Sequence, residues 1–517
     1  MGSFYLKEYD KPYRNLYDTL VHSANLYQDK IAVIDDNAAL GYGELLRKVD
    51  LLADYLVNSF DLKAQDQVGL MMVNHVQFVI AFYAVAKINC IAVMVNTKFQ
   101  KEEIDFILED TSVKAFFCDS LWWKNAAPVL EKHGIRHVVS DQVSNDGHGR
   151  TPYVTFEEIW QHEKKENSAC EAADGDLPVV IMHTSGTTGN PKGIMLTQKN
   201  ILQAAYGYAS VQGCNETDVT VLSVSMIHIL GLSCVLTYFM YIGGTVVLSA
   251  FFNPEDVLKK ITRYRATHFH SVPTVYIQLI HAYDREKYDL SSLKIAVCGG
   301  APIQEKDIDR FCMIAPNASF RFAYGMTETA GSGTLSYAHR QKLRAVPNVG
   351  IEVAGPDGKV LEAGEAGEIL FKGCVVAKGV WNKSEGFQSV VHSGDIGVMN
   401  EFGEIVILDR IKDIINRGGE KIFPSMVENV LMEAKGVKKA VVFGINDDLY
   451  GEVPAAVLVP NEGEEIDLEA VKKLSDTKLA KYKRPVLFEI WENVPVTANG
   501  KIRKDVIKKH FQIAEKG

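Results

Sequence analysis

No C-x-x-C pair and no histidine cluster occurs in this chain, and its eight cysteines (Cys90, Cys118, Cys170, Cys214, Cys234, Cys298, Cys312 and Cys374) are scattered. That pattern excludes a zinc-ribbon site and a disulfide framework. It suits a reducing compartment, and a cytoplasmic location is the expectation. A basic excess is missing too. The formal charge is −10 over 517 residues, so there is no electrostatic footprint for nucleic acid. The opening MGSFYLKEYD has no apolar signal core, Leu6 stands where a myristoylation pattern needs Ser or Thr, and the final AEKG is not a peroxisomal address. Internal repeats and low-complexity tracts are absent. What remains is 47% hydrophobic and 23% charged, an ordinary globular composition with length enough for more than one domain. One stretch, Val219 to Phe252, carries no Asp, Glu, Lys or Arg. Gly231, Gly243, Gly244 and His228 break it up, so a buried helix followed by a buried strand from Gly244 to Ala250 is expected, and no integral membrane segment.

Elements alternate along the chain. From Tyr42, Leu45, Val49, Leu52 and Leu56 line one helix face. Strands at Gln67–Val73, Cys90–Val95 and Val113–Cys118 then enclose helices at His75–Ile88 and Gln100–Asp110, which predicts a mainly parallel sheet covered on both faces. Asp141 to Pro178 is a polar surface connection. Between Asn348 and Arg410 short β runs separated by Gly and Asp turns suggest a small barrel or sandwich. The last hundred residues return to helices and strands. The expected fold is α/β: a large N-terminal domain of layered α/β subdomains with a small β-barrel-like subdomain, then a small mobile α+β C-terminal domain. The expected domains are 1–410 and 411–517.

Thr184-Ser-Gly-Thr-Thr-Gly-Asn-Pro-Lys-Gly193 reads as a phosphate loop. Gly186, Gly189 and Gly193 free the backbone to turn consecutive N–H groups toward one anion. Thr184, Ser185, Thr187 and Thr188 add hydroxyls, and Lys192 adds charge. The P-loop of NTPases wants Lys followed by Ser or Thr, whereas here Gly193 follows Lys192. A strand from Pro178 to His183 would deliver the loop, and a helix capped by Thr197 would receive it, putting the anion beside a helix N-terminus.

Further strings follow in order: Gly299-Gly300-Ala301, Tyr324-Gly-Met-Thr-Glu328, His392-Ser-Gly-Asp395, Asp409-Arg-Ile-Lys-Asp-Ile-Ile-Asn-Arg-Gly-Gly-Glu420, and Pro495-Val-Thr-Ala-Asn-Gly-Lys501. With the loop, they make nearly the whole chain resemble an acyl-activating enzyme of the adenylate-forming superfamily. That superfamily includes acyl-CoA synthetases, peptide-synthetase adenylation domains and beetle luciferases.

The resemblance implies ATP, Mg²⁺ and coenzyme A as cofactors and co-substrates, and a small-molecule carboxylic acid as the partner. By the same resemblance, Gly299, Gly300, Ala301 and Tyr324 flank adenine, Thr327 touches the α-phosphate, and Glu328 helps hold Mg²⁺. Asp395 accepts the ribose hydroxyls, helped by Arg410. Ser393 stands where relatives usually have Thr. His228 gates the acyl pocket, in a segment where Ser225 and Ile227 replace the usual Pro and aromatic. Lys412 falls at the hinge, Gly418 and Gly419 line the pantetheine tunnel, Tyr450 meets the nucleotide end of coenzyme A, and Lys501 is the adenylation lysine. The implied reaction is formation of acyl-AMP and then acyl-CoA, by a monomer or homodimer. Candidate acyl walls (Tyr206, His228, Val272 to Tyr276, Gly300 to Pro302, Gly325 to Gly333) are largely apolar and uncharged, so an aryl or alkyl acid is expected. Two alternatives stay open: an enzyme that loads a carrier protein, and a catalytically silent binding protein.

Overall fold

The computed structural model describes residues 13–142, 153–162, 174–184, 191–383, 386, 389–496 and 502–514. They form two compact units: residues 1–351 with 371–391, and 352–370 with 392–517.

The first unit contains an eight-stranded sheet. Its centre is built by Gln67–Met71, Ile91–Met94, Ala115–Cys118 and Pro178–Thr184, all parallel. The helices Val76–Lys87 and Lys101–Thr111 come where alternation places them. The apolar stripe of the helix Tyr42–Asn58 is fully buried at Leu45, Val49, Leu52 and Leu56. A second run of parallel strands orders Thr245–Leu248, Val219–Leu222, His268–Ser271, Ile295–Gly299 and Ser319–Tyr324 side by side. Its apolar layer packs Phe269, Tyr276, Phe311 and Phe320. The uncharged run resolves into Val219–Leu222, a π-helix Leu230–Thr237 leading into the helix Tyr238–Ile242, and the buried strand Thr245–Leu248. No described helix is long and apolar enough to cross a membrane.

In the second unit residues 395–399 of the strand Val390–Met399 pair antiparallel with Glu404–Arg410, in an open order with no closing pair among the described residues. A five-stranded sheet follows, centred on Val437–Asp447 and Gly451–Pro460. One of its faces packs on Val427, Leu431 and Val471, and the other on Ile507 and Phe511 of the terminal helix Lys504–Ala514.

Two histidines sit deep in the first unit. His268 is fully buried: its Nε2 lies 2.8 Å from the Gln212 side-chain oxygen and its Nδ1 3.1 Å from the Thr220 hydroxyl. A neutral ring fills both roles, donating to Gln212 and accepting from Thr220. Burial holds its pKa well below 6.5, and burial pushes His270 down to about 3. Below pH 6.5 the unfolded chain therefore binds protons that these two rings refuse, and stability falls as pH falls. His75, raised by its bond to Asp119, works in the opposite direction. At pH 5 the penalty from His270 alone is about 2 kcal/mol. Urea denaturation at pH 7.5 and pH 5 is expected to show a smaller acid loss in His270→Phe than in the wild type. An equal loss would assign the acid sensitivity elsewhere.

Candidate functional site

The sequence places its chemistry at strand ends. Of four adjacent parallel strands, Val219–Leu222 leads to His228 through the turn at 223–227, while His268–Ser271, Ile295–Gly299 and Ser319–Tyr324 run directly into Val272, Gly299 to Ala301, and Tyr324 to Glu328 respectively. Ligands of open α/β sheets bind outside such carboxyl ends. Gly299 stands opposite Ala323, and a Cβ on Gly299 would lie 3.1 Å from the Ala323 carbonyl oxygen. Gly300 has φ +80°, a conformation that favours glycine. Tyr324 is half-buried, its ring 5.6 Å from that of Phe371. Gly325 admits no side chain, because its Cβ would come 2.7 Å from the Gly331 carbonyl oxygen. The 3₁₀ turn Thr327–Thr329 follows, tied by Thr329 Oγ1, which accepts from the Met326 N–H at 3.1 Å. The Glu328 carbonyl accepts from the Ala377 N–H at 2.8 Å, leaving a half-buried carboxylate on a fixed backbone.

The phosphate-loop segment departs from expectation. Pro178–Thr184 turns back through a second strand, Lys192–Thr197, with Thr184 opposite Lys192. The loop thus joins an antiparallel pair. The helix Gln198–Gln212, capped by Thr197 as expected, begins only after that strand. Six strand residues span about 20 Å, so a helix N-terminus beside the anion is not the arrangement. Thr184 Oγ1 reaches the Lys192 carbonyl at 3.5 Å, and Lys192 is half-buried. Ser185, Gly186, Thr187, Thr188 and Gly189 lie outside the described residues.

Sequence reasoning missed His183 at the root of this pair. It stands opposite Gly193, with Nε2 3.0 Å from Asp110 Oδ2. Burial lowers its pKa and Asp110 opposes the shift. The Asp110 carbonyl also accepts from the Trp381 indole at 2.9 Å, and the Trp381 N–H donates to the Gly193 carbonyl at 2.7 Å. These bonds join residues up to 271 positions apart, so no local pattern could have revealed them. The pocket-wall reading also needs one correction. Tyr276 is fully buried and its hydroxyl donates to the Val297 carbonyl at 2.8 Å, so it belongs to the core.

In the second unit Asp395 lies opposite Arg410, whose Nε donates to Asp395 Oδ1 at 3.1 Å. The Ser393 hydroxyl accepts from the Asp395 N–H at 3.0 Å, so serine supplies the turn bond that the usual Thr could make. Glu368, also missed, accepts from the Gly394 N–H at 3.0 Å and pairs with His392 at 2.8 Å. Lys412 lies in the turn Ile411–Asp413. Gly418 and Gly419, with φ +58° and +95°, join the strands Ile415–Arg417 and Glu420–Ile422. The Gly418 N–H donates to the Tyr450 carbonyl at 2.7 Å. The exposed Tyr450 ring lies 4.7 Å from the Arg417 guanidinium. Lys501 lies outside the described residues.

Comparison with known proteins shows the family. A feruloyl-CoA synthase from Amycolatopsis sp is 32% identical over 95% of this chain and 98% of its own. A long-chain-fatty-acid–CoA ligase from Mycobacterium tuberculosis is 29% identical over 91% of this chain and 93% of its own. The solved structure of o-succinylbenzoate CoA synthetase from Bacillus subtilis, in complex with the acyl-adenylate intermediate, superposes with TM-score 0.82. It has 27% identity and covers 95% of this chain and 97% of its own. The family model for AMP-binding enzymes matches residues 20–381 and that for their C-terminal domain matches 426–501, and the chain belongs to the AMP-binding enzyme family.

Proposed function

We propose that the protein is an ATP-dependent acyl-CoA synthetase for a hydrophobic, aromatic or fatty, carboxylic acid. The observation that carries this reading is the delivery of His228, Gly299 to Ala301 and Tyr324 to Glu328 from the carboxyl ends of adjacent parallel strands. In the first step a carboxylate oxygen attacks the α-phosphorus of ATP, the bond from that phosphorus to the bridging oxygen breaks, and pyrophosphate leaves, giving acyl-AMP. In the second, the thiol sulfur of coenzyme A, its proton lost, attacks the acyl carbon and AMP leaves. Both steps gather negative charge on oxygen, so prearranged donors and cations are the main catalytic resource. Lys192 and the adjoining loop hold the departing pyrophosphate, Thr327 contacts the α-phosphate, and Lys501 serves the reacting carboxylate. Tyr324 stacks on adenine, while Asp395 and Arg410 receive the ribose. Gly418, Gly419 and Tyr450 guide coenzyme A, with residues 411–517 turning about Lys412 between the steps.

Among the described residues no group of three His, Cys, Asp or Glu side chains could hold a metal alone. Mg²⁺ is usually held by one or two carboxylates completed by substrate phosphates. Glu328 fits that pattern, and the ion would supply positive charge at the phosphate oxygens. All seven described cysteines are free, which suits the cytoplasm, where we place a monomer or homodimer.

Acid-dependent ATP–pyrophosphate exchange with ferulate, hexadecanoate and 2-succinylbenzoate tests the first step. Exchange is expected with an uncharged aryl or alkyl body, and thioester is expected with free coenzyme A. No exchange with any acid would sink the enzyme reading. Exchange without thioester on coenzyme A would favour a carrier protein as acceptor.

A further inference from the structure

We infer that Asn74 is a positioning residue for the acyl side of the site: its carboxamide closes on both backbone groups of the segment that delivers His228. The inference rests on the reading of His228 as an acyl-pocket residue and adds a determinant outside every motif of the sequence.

Asn74 is 3% exposed, in the connection between the strand Gln67–Met71 and the helix Val76–Lys87. Its Nδ2 donates to the Val224 carbonyl at 2.9 Å, and its Oδ1 accepts from the Met226 N–H at 2.9 Å. One side chain thereby bridges some 150 residues of sequence, from one sheet of the unit to the other. The asparagine is itself held on both sides. The Val73 N–H donates to Asp119 at 2.7 Å, His75 pairs with the other Asp119 oxygen at 2.7 Å, and the Val76 N–H donates to Asp35 at 2.8 Å.

The clamped segment is met from its other side by Gly231, where a Cβ would fall 2.3 Å from the Ser225 carbonyl oxygen. Between these two restraints the chain turns, with the His228 N–H donating to the Ser225 carbonyl at 3.2 Å and the Leu232 N–H to that of His228 at 3.0 Å. The π-helix Leu230–Thr237 starts there. π-helical turns persist where a fold holds them in place, and they recur at functional sites. A primary amide is the side group that offers one donor and one acceptor in a plane. Asp lacks the donor, and Gln carries an extra methylene.

The test combines Asn74→Ala, Asn74→Asp and His228→Ala. Wild type and variants are assayed by pyrophosphate exchange with ferulate or hexadecanoate, whichever the wild type activates. In Asn74→Ala, kcat/KM for the acid is expected to fall about tenfold or more while KM for ATP stays within about twofold. In the double variant with His228→Ala the second substitution should add little, because both act through one segment. Additive losses, or equal shifts in both KM values, overturn the proposal. Asn74→Asp, which keeps the acceptor for Met226, gives the same reading if Asn74→Ala does not fold.

Hydrogen exchange supplies an arm that needs no substrate. Amides of residues 224–232 should exchange about tenfold faster in the Asn74 variants while the helix Gln198–Gln212 keeps its protection. Unchanged exchange overturns the clamp whether or not the wild type activates an acid. Loosened amides in a protein that activates no acid would sink the functional reading and leave the clamp standing.

Discussion

Lys501→Ala is expected to lower acid-dependent ATP–pyrophosphate exchange by about 10²–10³-fold, the usual cost of removing one donor aimed at developing charge. Thioester formation from supplied acyl-adenylate is expected to stay within about threefold of wild type, since that step needs no positive group at a carboxylate. The described residues on either side of Lys501 are paired: Val496 and Ile502 form an antiparallel bridge, and the Arg503 N–H donates to the Pro495 carbonyl at 2.8 Å. The terminal helix then anchors the frame through Ile507 and Phe511, both buried against the five-stranded sheet. A neutral side chain therefore removes the charge while the helix packing stays in place. Stopped assays of the two half-reactions, with acyl-adenylate prepared chemically, separate the outcomes. Equal loss in both would mean that Lys501 supports the fold or serves both steps, and the division of labour between Lys501 and the Gly418 side would fail.

The sequence was most legible where a local pattern has a physical meaning. Leu45, Val49, Leu52 and Leu56 mark a buried helix face because the 3.6-residue period forces them onto one side. Thr197 caps a helix because its hydroxyl reaches the Asn200 N–H three residues on, at 3.1 Å. The chain was misread where one pattern serves two structures. Lys192 to Thr197 is too short and too mixed to separate a strand from the approach to a helix, so the hairpin at the phosphate loop went unseen. Asn74, His183 and Glu368 escaped for another reason. Each acts through a bond to a residue 26 to 152 positions away, and a single polar residue leaves no periodic trace of such a partner. The candidate adenine and α-phosphate residues were legible as strings because they lie in tight turns at strand ends, where Gly299, Gly300 and Gly325 are required by close backbone approach or positive φ.

Gly418 offers a sharper separation of turn chemistry from ligand chemistry. Gly418 and Gly419 occupy the two central positions of a hairpin in which Arg417 pairs with Glu420, and both have positive φ. A two-residue hairpin of this kind asks for Gly, Asn or Asp whatever the protein does. The turn alone thus accounts for the glycines, and only a substitution that preserves the turn can reveal a second role. Gly418→Asn does this, because asparagine tolerates φ near +58°. A Cβ there sits 3.4 Å from Tyr450 Cδ1, an ordinary contact, so the fold accepts it. The new side chain would stand where the thin pantetheine arm is proposed to pass. Thioester formation is expected to fall about 10–100-fold through misplacement of the thiol. Pyrophosphate exchange should stay within about twofold, since acyl-AMP forms without coenzyme A. Gly418→Val, which the left-handed conformation strains, should instead lower thermal stability. If Gly418→Asn makes thioester at the wild-type rate, the glycine is present for the hairpin alone. The path of coenzyme A would then have to be sought elsewhere on the second unit, with the Arg417–Tyr450 pair as the next residues to replace.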